Sequence, residues 1–135
     1  MVHRVLRIGR WTVDFVFAED REDYDMEGVL SFLYEMEAPI GKMRQVYRLM
    51  KDGKPNRGFT YANEETLRAL VVVGPTTSGE QFLNTLVHEV HHLAVFIADG
   101  LGLDLRSEDP AYLAGDTAMA LAEAVCRLGC EHCRG

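Results

Sequence analysis

The sequence predicts an α+β fold in which a mostly antiparallel, twisted sheet of about four strands is backed by one long helix and a C-terminal helix. Three features of the chain lead there. Val2–Ile8 with Trp11–Ala18, and Gly58–Asn63 with Leu67–Val73, read as two strand pairs. Thr76–Asp99 repeats its apolar residues at helical spacing. Pro110 to about Leu128 is apolar on most sides, as suits a second helix packed on the first.

In chain order, the first strand pair is joined at Gly9-Arg10, a Gly-X pair suited to a type II′ hairpin turn. Trp11, Val13, Phe15 and Phe17 alternate with Thr12, Asp14 and Val16, which predicts one buried face. After the acidic turn Glu19–Asp25, Asp25 can cap a helix running to about Glu37, with Val29, Leu30, Phe32, Leu33 and Met36 as its inner stripe. Ala38-Pro39-Ile40-Gly41 ends that helix, and a shorter one, Lys42–Met50, turns Met43, Val46, Tyr47 and Met50 inward. Lys51–Gly58 is a loop by its Gly, Pro and Asn content. In the second strand pair the unbroken run Val71-Val72-Val73 before Gly74-Pro75 predicts an interior strand, buried on both faces. Thr77-x-x-Glu80 and Ser78-x-x-Gln81 both satisfy the capping-box pattern, so the chain enters the long helix within a few residues of leaving that strand.

Within the long helix, Phe82, Leu83, Leu86, Val87, Val90, Leu93, Ala94 and Ile97 make one broad apolar stripe. His88 and His92 lie on the opposite face, one turn apart, so both imidazoles can converge on a single ion with Glu89 beside them. His91 flanks the pair. A catalytic zinc takes ligands at roughly 2 Å and keeps one position for water, and a rigid helical turn fixes two such ligands without a loop. Glu89 is then a general base, not a ligand. It takes a proton from the zinc-bound water, whose pKa the ion lowers to about 7, and passes it to the leaving amine.

His88-Glu89-x-x-His92 resembles the H-E-x-x-H motif of the zincin metallopeptidases. The resemblance covers roughly residues 58–116 and implies a single zincin-like domain over residues 1–135, with a minimal metal-binding core at about 58–128. It also implies a sheet behind the active-site helix and a substrate lying along a sheet edge. Zincins of the gluzincin type take a downstream Glu on a second helix as third ligand, and Glu108 matches that pattern, with Asp109 as its rival. The chain can bring either acid back. Gly100 and Gly102 end the long helix, one of them in the left-handed conformation, and an extended Leu103–Arg106 with Ser107 can descend about as far as the helix climbs after His92, about 12 Å. Asp109 also suits a helix N-cap, directly before Pro110 at the first helical position.

If helical geometry begins at Glu108, then Glu108, Tyr112, Gly115 and Asp116 share one face, and Gly115 lets the two helices approach closely. Tyr112 is a candidate catalytic residue, placed to hydrogen-bond near the metal or a developing oxyanion, and Asp116 a candidate to orient a ligand histidine. The tail Cys126-x3-Cys130-Glu131-His132-Cys133 crowds four metal-ligand side chains into too short a stretch for one tetrahedral ion. Free thiols are expected there, with Cys126 inside the second helix as a small hydrophobe. The runs G-F-T-Y-A-N, V-V-V-G-P-T-T-S-G-E-Q-F-L-N-T-L-V-H-E-V-H-H and S-E-D-P-A-Y-L-A-G-D further resemble a group of small bacterial and phage-type proteins, which supports Glu108 or Asp109 as a functional acid.

Composition narrows the rest. A chain of 135 residues, 47% hydrophobic and 26% charged, can bury a core without staples. A net charge of −7 with scattered Lys and Arg gives no footprint for nucleic acid or an anionic membrane. No apolar run approaches the roughly 20 residues that span a bilayer, and Met1–Arg10 is too charged for a signal sequence, so a cytoplasmic protein is expected. The expected function is that of a small zinc-dependent metallopeptidase, holding one Zn2+ and acting on a peptide or protein. The alternative is a zincin-like metal-binding module without catalysis, acting in regulation or protein interaction. A di-iron helical protein would need two E-x-x-H helices, and only Glu89-x-x-His92 exists.

Overall fold

The computed structural model describes residues 1–129. Its elements follow the order β1 (Val2–Ile8), β2 (Trp11–Phe17), α1 (Met26–Glu35), α2 (Ile40–Asp52), β3 (Gly58–Asn63), β4 (Arg68–Val73), α3 (Gly79–Gly100), α4 (Asp109–Ala120) and α5 (Ala122–Gly129). The strands form one sheet in the order β1-β2-β4-β3. The class is α+β, as expected. Both hairpins are antiparallel, and the ladder joining them, β2 to β4, is parallel.

Local chemistry explains most boundaries. Ile8 faces Trp11 across a two-residue turn, and Gly9 takes φ +59°, the positive value that a type II′ turn needs at its first position. Asp25 caps α1 by accepting from the Gly28 N–H at 3.1 Å, and Ser78 caps α3 by accepting from that of Gln81 at 3.1 Å. At the far end of α3 the Gly102 N–H donates to the Asp99 carbonyl and the Leu103 N–H to that of Ala98, with Gly102 at φ +71°: a Schellman closure. α2 is longer than the expected Lys42–Met50, because Pro39 sits at its N-cap and Gly53, at φ +65°, closes it. Leu67, expected in β4, lies in the turn before it at φ +54°.

The sheet is covered on both sides, which corrects the expectation of one buried face on β2. Val13, Phe15 and Phe17 of β2 with Ala69, Val71 and Val73 of β4 pack under Phe82, Leu86, Val90, Leu93 and Ile97 of α3. The alternate residues Val16, Leu70 and Val72 pack under Val29, Leu33 and Met36 of α1 and Val46 and Met50 of α2. The Val71-Val72-Val73 run is thus an interior strand buried on both faces, as its unbroken apolarity predicts. Asp14 is drawn inside with the rest of β2. It is 4% exposed and is held by His3 Nε2 at 2.8 Å from β1 and by an Arg68 guanidinium nitrogen at 3.3 Å from β4.

Four further expectations are corrected. The second helix is broken in two: the Leu121 N–H is shared between the Thr117 and Ala118 carbonyls, and the Thr117 hydroxyl donates back to the Leu113 carbonyl at 2.7 Å, a bond that bends helices. Residues 103–107 do not descend extended. Asp104 curls them into a turn, accepting from the Arg106 N–H on its side chain (2.9 Å) and from the Ser107 N–H on its carbonyl (3.0 Å). Asp109 does not cap α4, because Glu108 already has helical dihedrals and the Ser107 hydroxyl accepts the Asp109 N–H at 3.2 Å. Cys126, in α5, is disulfide-bonded and so is not a free thiol, while Cys130, His132 and Cys133 lie outside the described residues.

One buried polar group yields a stability prediction. The Tyr24 hydroxyl is buried without a hydrogen-bond partner among the described residues, and burial pushes its pKa up to about 12. Tyr24→Phe is expected to raise stability by about 1 kcal/mol at neutral pH, read as an upward shift of the urea midpoint. The neutral phenol is the form the fold favours. That contribution is whole below the unfolded value near 10 and is lost as pH rises through about 12, so the wild-type chain loses more stability than the Phe variant across this alkaline window.

Candidate metal centre

The site grows from the seam between α3 and the edge strand β3. Along β3, Gly58 and Thr60 face α3 while Phe59 packs beneath α2. Gly58 is there because nothing larger fits: a Cβ would meet the Val72 carbonyl oxygen at 2.5 Å, Glu89 Cγ at 3.1 Å and Thr85 Cγ2 at 3.2 Å. The missing side chain lets Thr85 and Glu89, one turn apart on α3, lie against the strand. Glu89 is 4% exposed as a result.

A buried carboxylate needs partners, and β3 supplies one. The Thr60 hydroxyl lies 3.3 Å from Glu89 Oε1 and 3.1 Å from the Glu89 carbonyl oxygen, positioned to donate to either. Burial pushes the Glu89 carboxyl above its ordinary pKa, while His88, His92, the Thr60 hydroxyl and Lys42 act in the opposite direction.

His88 and His92 emerge beside Glu89 on the solvent side of the seam, both exposed. Their Nε2 atoms are 3.2 Å apart. Two imidazole nitrogens bound at zinc distances to one tetrahedral ion lie roughly 3.3 Å apart, so the pair already has the spacing of two ligands on one metal. Ligand atoms of His88, Glu89 and His92 all lie within 4.8 Å of one another, the one such group of three or more His, Cys, Asp or Glu among the described residues. This group could hold a metal ion.

The other candidates lie outside it. Glu108 sits exposed at the start of α4, and the turn at 104–107 that carries the chain into α4 early is the physical reason it is not brought to the histidines. Asp109 is likewise exposed, against the Ser107 hydroxyl. Tyr112 is 66% exposed, and neither it nor Asp116 makes a side-chain hydrogen bond to the group. His91 flanks the pair as expected, facing a different neighbour: with Leu83, Val87, Ala114 and Ala118 it lines an apolar groove of about 550 Å³ between α3 and α4–α5. Gly115 opens onto that groove with nothing within 4 Å of a Cβ, so it does not bring the helices closer. Leu83 and Val87, expected in the buried stripe, are 51% and 58% exposed at the same groove.

Three participants escaped sequence reasoning: Gly58, Thr60 and Lys42. A signal for the first two was present. A strand face reading Gly, Thr, Ala at positions 58, 60 and 62 is too small to hold a helix at ordinary spacing, so something on that helix must come close.

The arrangement is a helix-borne His-Glu-His group beside a sheet edge that could hold a metal ion, with the carboxyl of the group buried next to the two imidazoles. No protein-family model, no curated protein and no solved structure matches the chain.

Proposed function

We propose that the protein is a small zinc-dependent metallopeptidase of zincin type, with His88 and His92 as metal ligands and Glu89 as general base. The observation that carries it is the position of Glu89: a carboxylate buried against β3, tethered by Thr60 and held next to two imidazoles at ligand spacing. Zinc suits the donor set, two imidazoles with carboxylate nearby. When bound, the ion supplies the Lewis acidity that makes water nucleophilic near neutral pH. The chain does the rest. Glu89 accepts the proton that the attacking water loses as its oxygen bonds to the scissile carbonyl carbon, then delivers that proton to the departing nitrogen, leaving a carboxylate and an amine. Glu108 is the acid assigned as third ligand, which requires the 104–107 turn to open. A peptide or protein substrate and a cytoplasmic location belong to the same proposal; among the described residues no helix is long and apolar enough to cross a membrane.

One observation favours a module that binds metal without catalysis: both histidines are exposed and the pocket beside them holds only about 280 Å³. Glu89→Gln separates the two. In the metallopeptidase the variant keeps one equivalent of zinc and the wild-type unfolding midpoint but loses peptide hydrolysis by a factor of about 100 or more. Zinc retained with hydrolysis absent from both proteins selects the non-catalytic module, and zinc retained with hydrolysis unchanged removes Glu89 as base. Zinc lost on substitution makes Glu89 a ligand and removes it as base.

A further inference from the structure

Glu89 stands between two roles, proton acceptor and metal ligand, and little distance separates them. Ligand atoms of His88, Glu89 and His92 all lie within 4.8 Å of one another. Ligand atoms on one tetrahedral zinc stand roughly 3.3 Å apart, so a shift of about 1.5 Å by one carboxylate oxygen would turn the base into a third ligand. The pull in that direction is strong. A carboxylate at 4% exposure has lost most of its water, and a dication beside it would be the largest charge in the neighbourhood. Something must hold the carboxylate back.

Two residues of β3 do so. Gly58 leaves room for the stem of the side chain, with Glu89 Cγ 3.1 Å from where a Cβ would stand. Thr60 acts on its end. Among the described residues, the Thr60 hydroxyl is the one group hydrogen-bonded to the Glu89 carboxyl, 3.3 Å from Oε1, and it lies 3.1 Å from the Glu89 carbonyl oxygen as well. Both acceptors belong to one residue, so the hydroxyl ties the main chain and the side chain of Glu89 to a single point on the strand. That point is itself fixed, because Thr60 pairs with Val71 of the interior strand β4.

We propose that Thr60 is a positioning residue whose hydroxyl keeps the Glu89 carboxylate out of the metal's coordination sphere, leaving it free to act as a base. This rests on the reading of His88 and His92 as ligands and Glu89 as base. Without the hydroxyl the carboxylate stays buried but loses its hydrogen-bond donor, and a bound ion becomes the group that can compensate it. Loss of Thr60 therefore tightens metal binding, the opposite of what loss of a merely structural contact would do.

The test is a double-mutant cycle on zinc affinity, measured by competition with a chromophoric chelator. Thr60→Val keeps the Cβ branching and strand preference of threonine and removes only the hydroxyl; Thr60→Ala, smaller, guards against a packing defect in one variant, and Thr60→Ser restores the donor. Zinc is expected to bind about tenfold more tightly to both hydroxyl-free variants, the order of one hydrogen bond to a charged acceptor, and as in the parent to Thr60→Ser. In a Glu89→Gln background Thr60→Val should change affinity by less than about twofold. Loading with Co2+ supplies a second readout: Thr60→Val alters the visible absorption of the bound ion, and no such change occurs when Glu89→Gln is present. A folded hydroxyl-free variant with unchanged or weaker zinc binding, a tightening that persists with Glu89→Gln, or one that Thr60→Ser fails to reverse overturns the role of Thr60 and leaves the histidine ligands standing. Loss of zinc in Glu89→Gln with Thr60 intact makes Glu89 a ligand already and overturns it too. Failure of the unmutated protein to hold zinc overturns the metal assignment, and the role of Thr60 falls with it.

Discussion

His88→Ala or His92→Ala is expected to weaken zinc binding by more than about 100-fold, so that metal analysis after dialysis finds none where the parent protein retains one equivalent. Each substitution removes one of two nitrogens spaced 3.2 Å apart on a rigid helical turn, and among the described residues no His, Cys or acid besides Glu89 is grouped with them to compensate. Both histidines are exposed, so neither change opens a cavity, and the unfolding midpoint of the metal-free protein should move by less than about 0.5 kcal/mol. A metal loss accompanied by unfolding would therefore tell against a direct ligand role. Glu108→Ala is the informative companion. If α4 shifts to deliver Glu108, zinc affinity falls in that variant too, whereas unchanged affinity removes Glu108 from the ligand set.

Asp14→Ala is expected to cost about 3 kcal/mol of folding stability, measured by urea unfolding of the metal-free protein, with zinc stoichiometry unaffected. Asp14 sits on a central strand at 4% exposure, and its two partners, the His3 imidazole and the Arg68 guanidinium, come from the strands on either side. Removing it leaves a void and strands the ends of His3 and Arg68. Those side chains are 41% and 32% exposed and can turn to water, which keeps the cost at the low end for a broken buried pair. A loss below about 0.5 kcal/mol would mean that the pair only fills space.

What could be read from the chain was what a short window contains. The Gly9 turn, the Ser78 cap, the interior position of β4 and the convergence of His88, Glu89 and His92 each follow from residues within one turn or one strand. What could not be read depends on partners far apart in sequence. Alternation alone marked Asp14 as solvent-facing, and only the parallel pairing of β2 with β4 brings Arg68 to it. The break at Leu121 comes from one Thr117 hydroxyl turned back on its own helix, in a stretch whose apolar pattern runs straight through. Glu108 was placed by assuming an extended return of the chain, and a single Asp104 side chain coils that return instead. Thr60 was missed because a threonine in a strand is ordinary until a buried carboxylate is found above it.

The parallel ladder also sets an order of events. Each hairpin can form from local contacts, on a scale of about 1–10 μs, but β2 and β4 meet only by closing a loop of about 50 residues between Phe17 and Arg68. Non-local pairing of this kind is the slow step in folding. α3 cannot settle before it, because its buried face rests on β2 and β4 together. The helix that carries His88 and His92 is local in sequence, yet its seat against Gly58 and Thr60 is not, so Glu89 is buried against β3 only with the closing of the sheet and not with the winding of the helix.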